Sequence, residues 1–168
     1  LAALKGTEDA MIYSSGYGAN VGMVSGLTGK ADIILSDAYS HASFCDGISL
    51  SGAQSFPFSH NDMAHLTTLL DRAQTRPHND IYVGVEGVYS MDGDLAPLDK
   101  VLALCNQYGA HLMVDDAHGT GVMGKHGRGT AEQFGVEGRI PITMGTFSKA
   151  FTATGGFVAA SKAIVDYL

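Results

Sequence analysis

His111-Leu112-Met113-Val114-Asp115-Asp116-Ala117-His118 runs from an apolar segment straight into two carboxylates and an imidazole. Leu, Met and Val follow one another without polar alternation, as in a strand buried on both faces, and such strands belong to parallel sheets covered by helices. The polar residues come at the end of the run, and in open parallel sheets ligands sit just beyond the carboxyl ends of the strands. A buried carboxylate is costly unless paired. One of Asp115 and Asp116 is therefore expected to meet a cation: a metal, an arginine or a protonated heterocycle.

Outward from this stretch, short apolar or β-branched runs recur at Ala10–Tyr13, Asp32–Leu35, Gln54–Phe58, Ile81–Glu86, Ile140–Gly145 and Gly156–Ala160. Helical patterns lie between them, at Tyr17–Leu27, Met63–Gln74, Leu98–Tyr108 and Ser161–Leu168. Asn61-Asp62 and Pro97-Leu98-Asp99 supply start signals for two of these helices. The alternation predicts an α/β fold with a mostly parallel (mixed) sheet sandwiched by helices. With no internal repeat, linker or boundary, residues 1–168 are expected to form one domain. The start at Leu1 without methionine and the end at Leu168 inside a helical pattern are expected of a piece truncated at both ends.

Composition narrows the function. With 45% apolar residues the chain can bury a sizeable core, and its 22 glycines are scattered, as turns and close backbone approaches require. A net charge of −7 with no basic cluster argues against a nucleic-acid partner or an acidic membrane surface. Cys45 and Cys105 have neither paired nor metal-type spacing, so a reducing, cytoplasmic location is expected. No run approaches a transmembrane segment, and no signal-type stretch opens the chain.

The segments that follow the strand runs carry the chemistry. Ser14-Ser15-Gly16-Tyr17-Gly18-Ala19-Asn20 lies where a strand turns into a helix, and the free N–H groups of a first helical turn favour a phosphate. By itself it also reads as a plain capped helix, and a nucleotide site would enlist Asp37, about twenty residues on. Ser40-His41-Ala42-Ser43 offers an imidazole, a residue that at such a place is more often a capping or core-satisfied histidine. Glu86 to Asp94 gathers Glu86, Ser90, Asp92 and Asp94, of which Asp92-Gly93-Asp94 also passes as a turn. A metal would draw on His41 and Asp92, yet no H-E-x-x-H spacing occurs; a serine hydrolase would need a G-x-S-x-G elbow, also absent. Met144-Gly145-Thr146-Phe147-Ser148-Lys149 sets one lysine among small, hydroxyl and apolar residues. Such a lysine is either solvated or held as an amine nucleophile of lowered proton affinity. Together these groups suit a phosphorylated aromatic aldehyde with a basic ring nitrogen, pyridoxal 5′-phosphate.

The chain closely resembles the α-oxoamine synthases among the fold-type I pyridoxal-phosphate enzymes. Five ordered blocks carry the resemblance: SSGYGAN (14–20), SHAS (40–43), EGVYSMDGDLAPL (86–98), VDDAHGTGVMGKHGRG (114–129) and GTFSKAF (145–151). It implies the pyridoxal-phosphate-binding large domain, with Lys149 as the lysine that binds the cofactor covalently as an aldimine. Asp115 is similar to the residue that meets the pyridine nitrogen, and His118 to the one that hydrogen-bonds the phenolic oxygen. His41 resembles the histidine stacked on the ring, Ser90 matches a further contact, and Gly16, Tyr17 and Thr146 resemble the phosphate donors. Glu86 and Asp116 fall in matching blocks with supporting roles. No metal is implied.

The resemblance further implies an acyltransferase that condenses an amino acid with an acyl-CoA, usually with decarboxylation, to an α-amino ketone. Full members are homodimers with an amino-terminal arm and a small carboxy-terminal domain, so residues 1–168 alone are expected to be inactive. The segment Asp115–Gly121 and the MDGDLAPL block lean towards 8-amino-7-oxononanoate synthases, the favoured reading. Met144–Lys149 and Gly155-Gly156-Phe157 lean towards serine palmitoyltransferases. A 2-amino-3-ketobutyrate CoA ligase type, an aminotransferase and a non-catalytic partner subunit also stay open. The presence of Lys149, Asp115 and His118 counts against the non-catalytic subunit.

Overall fold

The strand at His111–Asp115 is the central strand of a seven-stranded sheet in the computed structural model, which describes residues 1–168. Along the chain the elements are α1 (Ala2–Lys5), β1 (Asp9–Tyr13), α2 (Gly16–Leu27), β2 (Ile33–Asp37), α3 (Ala42–Ser51), β3 (Gln54–Phe58) and α4 (Met63–Gln74). They continue with β4 (Ile81–Glu86), α5 (Leu98–Tyr108), β5 (His111–Asp115), α6 (Thr130–Gln133), β6 (Ile142–Thr146), β7 (Gly156–Ala160) and α7 (Lys162–Tyr167). The spatial order is β1-β7-β6-β5-β4-β2-β3. Pairs from β3 through to β6 are parallel, whereas β7 runs antiparallel to both β6 and β1. The short segment between β6 and β7 dictates this, because a parallel return needs a crossover of a dozen or more residues.

Successive residues on the strands feed opposite faces, so each strand serves two cores. Ile33 and Leu35 of β2, Val83 and Val85 of β4, and Leu112 and Val114 of β5 pack with Leu66 and Leu70 of α4 and Val101 and Leu102 of α5. On the other face Ile34, Met113, Ile142, Met144 and Val158 pack with Ala19, Met23 and Val24 of α2 and Phe44 and Ile48 of α3. Burial of each such side chain contributes about 1.5–3 kcal/mol relative to leaving it exposed. The uninterrupted apolar run of β5 is thus the signature of a strand with two dry faces.

Three differences from the sequence expectation have local causes. Strand β2 starts after Asp32, whose carboxylate accepts from the N–H groups of Gly29 and Asp80 at 2.8 and 3.2 Å and so caps a turn. Strand β6 starts at Ile142 and not at Ile140, because Pro141 has no N–H to give the ladder. Helices α1, α3 and α6 form where no apolar periodicity marks them: α1 and α6 span only four residues each, and α3 is rich in serine.

The start of α2 is seated directly on the sheet. A Cβ on Gly156, the first residue of β7, would come within 2.7 Å of Gly16 Cα and of Ser15 O, so only glycine permits this approach. That contact brings the helix N-terminus to the end of the sheet where β4, β5 and β6 finish.

Candidate active site

A cavity of about 260 Å³ opens at those strand ends, between the starts of α2 and α3. Gly16, Tyr17, His41, Asp115, His118, Thr146 and Lys149, all expected from sequence, line it. Ser90 does not. It borders a separate cavity of about 320 Å³ with Tyr39, Ser40 and Tyr89. The reason is the tight fold of its loop, in which Tyr89 and Gly93 N–H groups bond to Asp94 and Tyr89 carbonyls at 2.9 and 2.8 Å and leave Ser90 exposed. Ser15, Asn20, Ser43, Glu86 and Ser148 also line the main cavity. Glu86 is expected there in a supporting role; the other four carry no separate signal in the sequence.

The two neighbouring aspartates separate completely. Asp116 is buried against the ammonium of Lys5 at 2.7 Å. It also accepts from the Thr130 hydroxyl at 2.6 Å, and Lys5 further donates to Thr120 Oγ1 and Arg128 O. The cation that Asp116 meets is therefore a lysine of α1, a partner not among those expected from sequence. Asp115 is buried without any cationic partner in the chain. Its Oδ1 accepts from Ala117 N–H at 3.0 Å and its Oδ2 from the Asn20 amide at 2.6 Å.

Glu86 ends β4 in register with Asp115 and is buried, its Oε1 without a hydrogen-bond partner. Burial, and then the charge of Asp115, push its pKa up to about 7. His118 is shifted the other way. Burial lowers its pKa first, the ammonium of Lys149 adds to that, and Asp115 only partly opposes it. At neutral pH the His118 ring is therefore largely uncharged.

At the start of α2, Ser15 caps the helix by accepting from Gly18 N–H at 2.9 Å. The N–H groups of Gly16 and Tyr17 precede any intrahelical acceptor and carry the positive end of the helix. Thr146 lies just beneath. Its hydroxyl donates to the Gly155 carbonyl at 2.9 Å, and its oxygen accepts from Ser148 N–H at 3.3 Å and pairs with Ser148 Oγ at 2.8 Å. Thr146 thus braces the turn that carries Lys149. The Ser15 hydroxyl, which accepts from Gly18 N–H and donates to no protein group, keeps its proton free for an anion.

Lys149 sits in that turn, tied by Thr152 N–H to its own carbonyl and by Ala153 N–H to Phe147 O. Its side chain is exposed at the rim and makes no ion pair. The burial contemplated for a reactive lysine is not supplied by residues 1–168.

His41 caps α3 through its ring, as the capping reading expects, and lines the cavity at once. Its loop is clamped from behind. Asp37, at the end of β2, meets His60 Nδ1 at 2.9 Å, and His60 Nε2 meets Asp94 at 2.7 Å. Tyr39 stacks on His60 with 4.1 Å between ring centroids. Burial opposes charge on His60, but the hydrogen bonds to Asp37 and Asp94 outweigh it and raise its pKa.

The arrangement offers an anion cradle at a helix start, an unpaired buried carboxylate on the floor, two imidazoles and a primary amine on the rim. The description "aminotransferase class I and II" matches residues 1–168. The chain is 52% identical to an 8-amino-7-oxononanoate synthase of Geotalea daltonii over 168 residues, covering 100% of this chain and 42% of that protein. Among solved structures it is similar to a serine palmitoyltransferase from S. paucimobilis with a bound PLP–myriocin aldimine (TM-score 0.92, 40% identity, 98% of this chain and 41% of that one). It is also similar to an 8-amino-7-oxononanoate synthase from Francisella tularensis (TM-score 0.86, 33% identity, 99% of this chain and 47% of that one). The chain spans less than half the length of the curated relatives it matches.

Proposed function

The chain belongs to the aminotransferase class I and II family, in its α-oxoamine synthase branch, and from that premise we propose that the whole protein is a pyridoxal-phosphate-dependent C-acyltransferase of the 8-amino-7-oxononanoate synthase type. It would condense an amino acid with an acyl-CoA, release coenzyme A and carbon dioxide, and leave an α-amino ketone. The observation that carries this is Asp115, a buried carboxylate lining a lysine-rimmed cavity with no cation of its own. A protonated ring nitrogen is the partner it lacks.

The residues present fit the cofactor. The N–H groups of Gly16 and Tyr17 with the Ser15 hydroxyl would hold its phosphate, Asp115 its ring nitrogen, and His118 and His41 its ring. Ser90 would contact it only if its loop moved towards the main cavity. When bound, pyridoxal phosphate supplies an aldehyde that condenses with amines and a ring that accepts an electron pair from a neighbouring carbon acid. Asp115 would keep the proton on the ring nitrogen. The Lys149 amine would be the covalent attachment point and, when free, would take the α-proton as general base. His118 remains uncharged beside it, and His41 holds a substrate oxygen. The new carbon–carbon bond forms at the thioester carbonyl, whose carbon–sulfur bond breaks to release coenzyme A.

Residues 1–168 would be the cofactor-holding domain, with acyl and amino-acid choice lying largely outside it. A homodimer is part of the same proposal. Exposed Met91, Val122 and Phe151 on the strand-end loops, with Tyr17 in the first turn of α2, support it, since a second copy would cover them. The free thiols of Cys45 and Cys105 suit a cytoplasmic location, and no helix is long and apolar enough to cross a membrane. A serine palmitoyltransferase-type acyl donor is the second reading, favoured by the TM-score of 0.92 to that enzyme. Coenzyme A release by the full-length protein, with alanine, glycine and serine against short and long acyl-CoA, tests both. Keto-acid exchange without coenzyme A release would overturn both in favour of an aminotransferase.

A further inference from the structure

Four side chains from three elements form one hydrogen-bonded line across the wall of the site. Asn20 Nδ2 donates to Asp115 Oδ2 at 2.6 Å and to Ser43 Oγ at 2.9 Å, and Ser43 Oγ lies 2.7 Å from His41 Nδ1. The Ser43 backbone N–H donates to the same His41 nitrogen at 3.2 Å.

The direction of each bond follows from donor and acceptor inventory. Asp115, already accepting from Ala117 N–H, can offer Asn20 only an acceptor. The amide nitrogen must therefore face the carboxylate, since the flipped amide would set two acceptors against each other. Both amide hydrogens are then committed, and Asn20 Oδ1 is left buried without a protein partner. An orphaned buried carbonyl calls for a reason, and the reason is that both donors are needed on the other side. Because Ser43 Oγ accepts from Asn20, its own proton is free for His41. Nδ1 thus receives an O–H and an N–H and can carry no hydrogen itself.

We infer that Asn20 and Ser43 are positioning residues that fix His41 as the tautomer protonated on Nε2 and register it to the Asp115 carboxylate. His41 makes no other side-chain hydrogen bond, so its Nε2–H is the donor it has left for a ligand. A ring so fixed can hold a carboxylate or carbonyl oxygen and cannot accept from a protonated group. This consequence rests on the proposed function, because it assigns His41 to the oxygen of an amino acid or acyl substrate. The tautomer itself does not depend on that assignment.

The test uses the full-length protein with ¹⁵N-labelled histidine, both with pyridoxal phosphate and stripped of it. Wild type is expected to show His41 as the Nε2–H tautomer in both states. Ser43→Ala and Asn20→Leu should each give a mixture of tautomers in folded protein. With cofactor they should lower kcat about 10-fold and raise KM for the amino acid, the scale at which outer hydrogen-bond partners act on functional histidines. Ser43→Thr, which keeps the hydroxyl, should restore both readouts. An Nδ1–H tautomer in wild type would overturn the inference. So would an unchanged tautomer in both variants, because a purely structural role lowers Tm without moving it. Protein that never takes up pyridoxal phosphate would undo the proposed function and leave the tautomer result standing, so the two failures are distinguishable.

Discussion

Glu86 and Asp115 stand in direct register at the ends of β4 and β5, and the protein serves them unequally. Both oxygens of Asp115 accept hydrogen bonds, whereas Oε1 of Glu86 is buried with none. Two like charges this close in a poorly solvated site compete for ionisation. Glu86 bears the cost, with its pKa at about 7.

That shift has a sign for stability. A carboxyl whose folded pKa lies above its unfolded value leaves stability intact below about pH 4.5 and removes it as pH rises through about 7. Glu86→Gln should abolish this slope in cofactor-free protein. Urea unfolding should give matching stabilities near pH 4 and a variant more stable than wild type by about 1 kcal/mol or more near pH 8. Parallel pH profiles for the two proteins would refute it.

Asp115 and Asp116 should respond oppositely to loss of charge. Asp116→Asn leaves Lys5 buried and uncompensated, at a cost of about 3–5 kcal/mol in unfolding free energy. Asp115→Asn removes no ion pair within the chain, so its Tm should stay within about 2–4 °C of wild type. Its coenzyme A release should nevertheless fall to background. Calorimetry paired with the release assay reads both, and a reversed pattern would contradict the roles given to the two residues.

Lys149 is exposed and carries no packing, so Lys149→Ala should change stability by no more than about 0.5 kcal/mol. It should also lose the covalent attachment of pyridoxal phosphate. Borohydride reduction followed by peptide mass spectrometry should label Lys149 in wild type and no lysine in the variant. A label at Lys5 or Lys125 would move the attachment point elsewhere.

Gly156→Ala places a Cβ against backbone atoms of Gly16 and Ser15, none of which can rotate away. The helix start must shift, at about 1–3 kcal/mol of stability. Pyridoxal phosphate should bind more weakly by titration, because the Gly16 and Tyr17 donors move with the helix. Unchanged affinity would mean that the phosphate is held elsewhere.

Much of the frame is legible in residues 1–168, for identifiable reasons. The runs Ile81–Glu86 and His111–Asp115 match β4 and β5, and Met63–Gln74 and Leu98–Tyr108 match α4 and α5. Strong patterns and clear caps mark these elements locally. Helix α3 is not legible, because Gly47 and its serines give it poor intrinsic propensity. It forms because Phe44 and Ile48 pack on the sheet, and because a Cβ at Gly47 would lie only 2.8 Å from Val24 of α2. Strand-end residues can be found because a parallel sheet delivers its carboxyl ends to one edge. Asn20 and Lys5 cannot, since their partners lie 95 and 111 residues away in the chain.

Strand β7 has a consequence for the order of assembly. It is the only strand joining β1 to the remainder of the sheet, and its first residue is the seat of α2. The phosphate cradle is written near the beginning of the chain, yet the backbone seat of its first turn, Gly156, is made only with residues 156–160. Such distant pairing is slow to form. A nascent chain that has produced every other part of the cavity, the lysine included, still lacks the backbone on which Gly16 rests. The seat of that helix start is thereby completed only once β7 has been synthesised.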